Sequence, residues 1–445
     1  MGRKSVGGSW PLIVFRERNM KGISLIFPVD AKQLEKETLR IYEVCDGCRR
    51  CFNLCPSFNT LLDRIDVYEG DVSKLTPTDH HQVVDECYYC KLCFNHCPYT
   101  PPHHYQIDFP HLMVAWKKRL ATERGVRWRD RLLTMTDAIG RLGSATAAIT
   151  NRLLRNNVVR RVLQRIVGIH QDRQVLHFSS ETFSRWFGRR TKTMSADPPI
   201  RKVALFASCL VNAQVTDVGK ATVQVLEKNG VHVVVPEQRC CGMPNFDIGD
   251  TQAIQQAARS NVASLYPWVL KGYDVVVPTA SCSLMLKREY PELQPDEQTK
   301  QVAEKTFDIC EYLMKMRKEG QLATDFTKEP GKVAYQIPCH LRDQNIGFKS
   351  KELMECAGAK VDVIEQCSGH DGSWSAKVEF FPLSMKIAGK AVRAIDQTSV
   401  DLVASDCPLA GLQLEQAGAT AQMPVKTVRH PIQIVRDAYG LSSEG

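Results

Sequence analysis

Eight cysteines between Cys45 and Cys97 carry the most specific chemistry in the chain. They form two runs of one spacing: Cys45-x-x-Cys48-x-x-Cys51-x-x-x-Cys55-Pro56, then Cys87-x-x-Cys90-x-x-Cys93-x-x-x-Cys97-Pro98. Two-residue spacers let three successive sulfurs of a tight loop point at one cube-shaped iron–sulfur cluster, which needs four thiolates in a tetrahedral cage. With this spacing the fourth cysteine of each run ligates the other cluster. The expected sets are Cys45, Cys48, Cys51 and Cys97 for one [4Fe–4S] cluster, and Cys87, Cys90, Cys93 and Cys55 for a second. A lone Cys-x-x-Cys would suit zinc or a redox dithiol equally well. Two complete runs favour iron–sulfur. Pro56 and Pro98 are expected to turn the chain away after the fourth ligand.

The elements around these loops read as helices. Ala31 to Val44 spaces Leu34, Leu39, Ile41 and Val44 among charges, and enters the first loop. Between the runs, Leu61, Leu62, Ile65, Val67, Val83 and Val84 suit helices joining the loops. A helical ferredoxin domain over 31–115 is expected. Beyond the second run, prolines among Tyr99 to Met113 predict an extended connector, not a helix. His103, His104 and His111 lie there. With all eight ligand positions filled by cysteine, they read as neighbours that donate hydrogen bonds and tune potential.

The 445 residues have room for two to four domains. The hydrophobic fraction of 43% and charged fraction of 24% are ordinary, but 17 cysteines are not. Their clustering points to metal ligation in a reducing compartment, not to a secreted disulfide framework. No apolar run reaches the length of a transmembrane helix. Met1 to Pro28 shows neither a signal-peptide core nor, with Val6 at the key position, a myristoylation site. It reads as a tail or leader, and Met20 is an alternative start.

Residues 116–192 change character, with 18 Lys or Arg against 5 Asp or Glu, about +13 in a chain of net charge +9. Ile149, Leu153, Leu154, Val158, Val159, Val162, Leu163, Ile166 and Val167 recur at helical spacing, and Arg152, Arg155, Arg160, Arg161 and Arg165 take the other side. This predicts a basic amphipathic helix. Three readings compete: a linker helix packed on the protein's own core, a helix on an anionic membrane surface, and nucleic-acid binding. The last has no aromatic–basic platform or motif to support it.

From Ile200 the pattern alternates strand and helix. Buried strands at Val203–Phe206, Val231–Val235 and Tyr273–Pro278 are followed by Cys209, by Cys240-Cys241-Gly242 and by Cys282. In α/β sheets, ligands bind at that edge. The unit recurs: Val333–Ile337, Val361–Ile364 and Val400–Ala404 lead to Cys339-His340, to Cys367-Ser368-Gly369-His370-Asp371, and to Cys407. Offsets of 130, 127 and 125 residues in the same order indicate an internal duplication. The fold class expected is α+β and multidomain: a helical two-cluster ferredoxin domain, a basic helical linker, and two tandem α/β cysteine-rich repeats of the Cys-Cys-Gly type over 200–325 and 331–440, the second degenerate.

Paired ferredoxin runs ahead of two such repeats, with Arg239-Cys240-Cys241-Gly242-Met243-Pro244, resemble the iron–sulfur component of anaerobic glycerol-3-phosphate dehydrogenase. They resemble equally the iron–sulfur components of glycolate oxidase and lactate-utilisation systems, and the B and C components of heterodisulfide reductase fused into one chain. The resemblance runs from about Val44 to the C-terminus. It implies that the repeats bind a further cluster or contact an electron acceptor, and that electrons pass from a flavin partner toward quinone. Cys209, Cys240, Cys241 and Cys282 would hold the third centre. Met285 stands where heterodisulfide reductase has a further cysteine, so an ordinary [4Fe–4S] cluster fits better than a noncubane one. In the second repeat Ser368 and Ala410 replace cysteines. Cys339, Cys367 and Cys407 remain, with His340, His370 and Asp371 nearby. A three-thiolate cluster, a metal or acceptor site with a histidine ligand, and a degenerate structural half stay open. Cys310 reads as a core thiol.

No Gly-x-Gly-x-x-Gly follows a strand, and neither a P-loop nor a nucleophile elbow is present. Clusters move one electron and alcohols lose two, so a flavin on another polypeptide is the natural splitter. The expectation is an iron–sulfur electron-transfer subunit of a respiratory dehydrogenase. It would work with an FAD-containing dehydrogenase subunit and quinone, in the cytoplasm, peripheral on the inner face of the cell membrane. A catalytic reductase of heterodisulfide type is the alternative, and a cluster-bearing scaffold or sensor a third class.

Overall fold

The computed structural model describes residues 30–190 and 199–442. The expectations for Met1 to Pro28 lie outside them. Helices Ala31–Cys48, Pro56–Val67, Pro77–Glu86, Leu92–His96 and Phe109–Arg124 build the N-terminal unit. Leu34, Ile41, Leu61, Leu62, Ile65, Val83, Val84, Leu112 and Met113 fill its core, whereas Val67 is exposed. Thr76 and Asp79 form a reciprocal capping box with Pro77 at the first helical position, which fixes where the third helix begins.

Cys55 is the N-cap of the second helix, and Pro56 opens it. One expectation is corrected here. The connector after the second run stops at Asp108, and Phe109 to Met113 are helical. Proline in a first turn forfeits no intrahelical bond, so Pro110 permits the helix while the Asp108 side chain accepts from the His111 N–H.

The basic segment is not one helix. It is broken into Trp128–Thr134, Thr136–Ala145, Ala147–Leu154 and Asn157–Val167. Asn156 stops the run by capping the last of these, its side chain accepting from Val158 and Val159 N–H. Most of the apolar stripe does not pack on the protein's own core: Ile149, Leu153, Val158, Val162 and Ile166 are all exposed. Arg160 instead turns inward and donates to the carbonyls of His170, Gln171 and Arg173.

Among the described residues, eight strands form two four-stranded parallel sheets. The first comprises β1 (Arg201–Leu205), β2 (Val231–Val234), β3 (Asp274–Val277) and β4 (Thr306–Asp308), ordered β2-β1-β3-β4. The second comprises β5 (Lys332–Gln336), β6 (Lys360–Ile364), β7 (Leu402–Ala404) and β8 (Val428–Arg429), ordered β6-β5-β7-β8. The same order twice is the duplication in three dimensions. Cys209, Cys240, Cys241 and Cys282 follow β1, β2 and β3, and Cys339, Cys367 and Cys407 follow β5, β6 and β7. That places them at the carboxyl edges of the two sheets, beside the point where strand order reverses.

The units are locked together by buried polar contacts. Lys117 pairs with Asp247, and Lys377 with both Asp247 and Asp130. The Trp374 indole donates to the Asp85 carbonyl at 3.0 Å. Gly249 has φ +69°, and a Cβ there would meet the Lys117 carbonyl carbon at 2.3 Å. Only glycine lets the first repeat approach the Phe109–Arg124 helix so closely. No helix among the described residues is long and apolar enough to cross a membrane.

Candidate iron–sulfur centres

Two cavities lie in the N-terminal unit, each lined by four cysteines. Cys45, Cys48, Cys51 and Cys97 line one, with Val44, Phe58, Leu62 and Ile107 behind them. Cys55, Cys87, Cys90 and Cys93 line the other, with Leu54, Phe58 and Phe109. The fourth cysteine of each run thus faces the other run's loop. The loops curl by placing non-glycine residues in the left-handed region: Arg49 at φ 49°, Asn53 at 67°, Tyr89 at 54° and Lys91 at 61°. Such conformations cost energy and concentrate at functional sites.

The thiol electrostatics fit an iron–sulfur cluster. Burial pushes Cys51 up to about 12, helped by Cys97 and Cys48, and pushes Cys87 up to about 11. Cys45, Cys55 and Cys93 are raised for the same reason, with neighbouring thiols adding to it. Thiolates packed this way have no stable charged form without a cation among them, and cluster iron supplies that charge.

In the first repeat the four candidate cysteines come together. Cys209 contacts Cys240, Cys240 contacts Cys241, and the Cys241 and Cys282 sulfurs are 3.2 Å apart. Gly242, at φ +91°, lets the paired-cysteine loop turn directly over Ile254, whose Cα would lie 3.3 Å from a Cβ. Asn261 accepts from Arg239 N–H at 2.9 Å, and the Tyr290 hydroxyl donates to the Cys241 carbonyl at 2.9 Å. The basic segment completes the pocket. Asp137 accepts from Cys240 N–H at 2.8 Å, and Thr136, next to it in the chain, lies beside Cys209 and Cys240. Neither Thr136 nor Asp137 is legible from sequence, being more than 70 residues from any of these cysteines.

The second repeat is arranged differently. Cys339 contacts both Cys367 and Cys90 of the second ferredoxin run. The Tyr88 hydroxyl lies 3.4 Å from Cys367, which also accepts from Gly369 N–H at 3.3 Å. The contact with Cys339 brings Cys367 down to about 6. Cys407 is raised by burial to about 11, with Asp406 and Asp371 nearby adding to the shift. His340 spans two other units: Nδ1 is 2.9 Å from Ser281 Oγ and Nε2 is 3.0 Å from the Tyr89 carbonyl. His370 Nδ1 faces Arg173 and Ser375. Both histidines are thus engaged by partners other than thiols. The His103 and His104 rings make tilted contacts with those of Tyr99 and Tyr105. Cys310 is buried in the core, as expected.

A helical unit carrying two four-cysteine cavities, joined to two α/β repeats with cysteines at their carboxyl edges, defines a cysteine-rich iron–sulfur protein of oxidoreductase type. Family models agree. The cysteine-rich domain matches residues 203–287 and 333–415, and the citrate utilization protein B Fer4-like domain matches 38–123. Lactate utilization protein A of Bacillus pumilus is 30% identical over 258 residues, covering 54% of this chain and 99% of that one. Its counterpart from Geobacillus thermodenitrificans is 30% identical over 46% of this chain and 87% of its own. One subunit of the anaerobic glycerol-3-phosphate dehydrogenase of Escherichia coli is 28% identical over 316 residues, 70% of this chain and 77% of that one. The chain belongs to this family of cysteine-rich-domain iron–sulfur proteins.

Proposed function

We propose that the protein is the iron–sulfur electron-transfer subunit of a membrane-associated respiratory dehydrogenase, relaying electrons from an FAD-containing partner, glycerol-3-phosphate-dehydrogenase-like, toward quinone. The ferredoxin unit is taken as 31–115, the linker as 116–192 and the repeats as 200–325 and 331–440. Two [4Fe–4S] clusters occupy the cysteine-lined cavities, and a third cluster sits on Cys209, Cys240, Cys241 and Cys282. When bound, they supply one-electron carriers between a two-electron flavin and a two-electron quinone. The chain's own residues hold these carriers in apolar, half-closed pockets and bring the second cavity against both repeats.

The observation that carries this reading is the seating of the second cluster loop on the second repeat, with the Tyr88 hydroxyl 3.4 Å from the Cys367 sulfur and the Tyr89 carbonyl 3.0 Å from His340 Nε2. Tyr88 and Tyr89 both line the second cavity. An electron path from the ferredoxin unit has no intervening layer of polypeptide to cross. The exposed apolar residues Ile149, Leu153, Val158, Val162 and Ile166, flanked by exposed Arg152, Arg155, Arg161 and Arg165, suit the surface of an anionic membrane. That location, on the inner face of the cell membrane, is where quinone is reached.

The test is anaerobic: reduce the loaded protein with a chemical donor and follow its reoxidation by a quinone analogue, with and without anionic vesicles. Reoxidation accelerated by vesicles supports the reading. Inertness toward quinone with a full complement of clusters would sink it. The proximity of Cys339 and Cys367 favours one second reading, a heterodisulfide-reductase-like catalytic reductase acting at the repeats. Turnover of a disulfide in the same assay would select it.

A further inference from the structure

We propose that His111, Glu289 and Glu292 bind a divalent transition-metal ion at the seam between the ferredoxin unit and the first repeat. His111 lies in the first turn of helix Phe109–Arg124. Glu289 and Glu292 come from the first repeat, on a π-helical turn, Met285–Glu289, and the short helix after it, Tyr290–Leu293. Single π turns recur at functional sites.

The distances fit ligands around an ion better than an ion pair. His111 Nε2 is 3.7 Å from Glu289 Oε2 and 3.5 Å from Glu292 Oε2, and the three ligand atoms lie within 4.8 Å of one another. An imidazolium bonded to a carboxylate closes to about 2.7–2.9 Å. Two ligand atoms each about 2.1 Å from one metal stand roughly 3.0–3.4 Å apart. His111 Nε2 is buried and has no hydrogen-bond partner, and the side chain is 8% exposed. Its other nitrogen, Nδ1, is 2.7 Å from Asp108 Oδ2. With the proton on Nδ1, Asp108 fixes the tautomer that turns the Nε2 lone pair toward the two glutamates, the arrangement of metal-bound histidines.

Charge points the same way. Asp108, Glu289, Glu292 and Asp343 bring four negative charges, and Lys91 answers with one, bonding Glu289 at 2.7 Å and Asp343 at 3.2 Å. A dication leaves one unbalanced negative charge, where a proton on His111 leaves two. Glu292, with half its side chain exposed, gives the ion an entry and room for water ligands. Imidazole with carboxylates suits zinc, iron(II) or manganese. The ion would fasten Glu289, whose Oε1 holds Lys91 and whose Oε2 accepts from Tyr89 at 2.9 Å. Both of those residues stand among the cysteines of the second run. The site thus clamps the second cluster loop onto the first repeat.

The test uses full-length, cluster-loaded protein stripped with EDTA and titrated anaerobically with zinc chloride. Calorimetry gives the affinity, elemental analysis the stoichiometry, and electron paramagnetic resonance the state of the clusters. We expect one zinc per chain. Asp108→Asn, which keeps the helix cap, should weaken it about 10–100-fold, and Glu292→Gln at least as much, with cluster signals unchanged in both. Zinc binding of equal affinity and stoichiometry in parent and Glu292→Gln would place the ion on other ligands and overturn the proposal. So would absence of zinc binding by the parent, which would leave His111 as an imidazolium.

Discussion

The Tyr88 hydroxyl lies 3.4 Å from the Cys367 sulfur, and Tyr88 itself stands between Cys87 and Cys90. One residue of the second cluster loop therefore touches a thiol 279 positions away, with its ring 4.7 Å from that of Trp374. Tyr88→Phe keeps the ring and removes the hydroxyl. It should cost about 0.5–1.5 kcal/mol in denaturant unfolding while leaving iron content unchanged. Loss of a ferredoxin cluster in this variant would mean that the hydroxyl supports the cluster loop itself and not its seam with the repeat.

Cys240 stands between Cys209 and Cys241 in the chain of thiols in the first repeat. Cys240→Ser should abolish one set of paramagnetic signals and about four iron per chain, with both ferredoxin signals retained. Three unchanged signals would mean that the paired-cysteine loop is not a cluster site.

What the sequence discloses follows from how local its causes are. The ferredoxin cysteines are legible because their spacing is the geometry of the site. The strands ending at Leu205, Val277 and Ala404 are legible because buried parallel strands are continuous apolar runs. Edge strands β4 and β8, of three and two residues, are too short to leave a pattern. Periodicity carries the basic helix straight through Asn156, because a single capping residue barely disturbs an apolar repeat. Nor does an apolar stripe say what it faces, which is why core, membrane and nucleic acid all compete for it until burial is known. The Asp137 carboxylate on Cys240 N–H spans 103 residues, a tertiary contact without a local signature. Pro110 misleads because a proline's effect depends on whether it falls in the first turn.

The exposed apolar face makes a membrane prediction with a corrected set of residues. Arg160 is buried among carbonyls and does not belong to it. Reversing Arg152, Arg155, Arg161 and Arg165 to Glu should remove at least about 1 kcal/mol per charge from binding to anionic vesicles, roughly a thousandfold in all. Equal sedimentation of variant and parent with such vesicles would show that this face meets something else.

His80 supplies a pH dependence. Burial disfavours its charged form and brings it down to about 4, with Nδ1 2.9 Å from the Tyr42 hydroxyl. An unfolded histidine titrates near about 6.5. Between these values the unfolded chain binds the extra proton, so stability is full above about pH 6.5 and falls as pH drops toward 4. Between pH 7.5 and pH 5 the loss should be about 2 kcal/mol. His80→Gln should flatten that limb of the denaturant midpoints. An identical slope in the variant would assign the acid sensitivity to other groups.

The central claim, a chain of three iron–sulfur centres, is tested most directly by iron and acid-labile sulfide content of anaerobically purified protein. Three cubane centres predict about twelve of each per chain. About eight would confine the clusters to the ferredoxin cavities and contradict a third centre on Cys209, Cys240, Cys241 and Cys282.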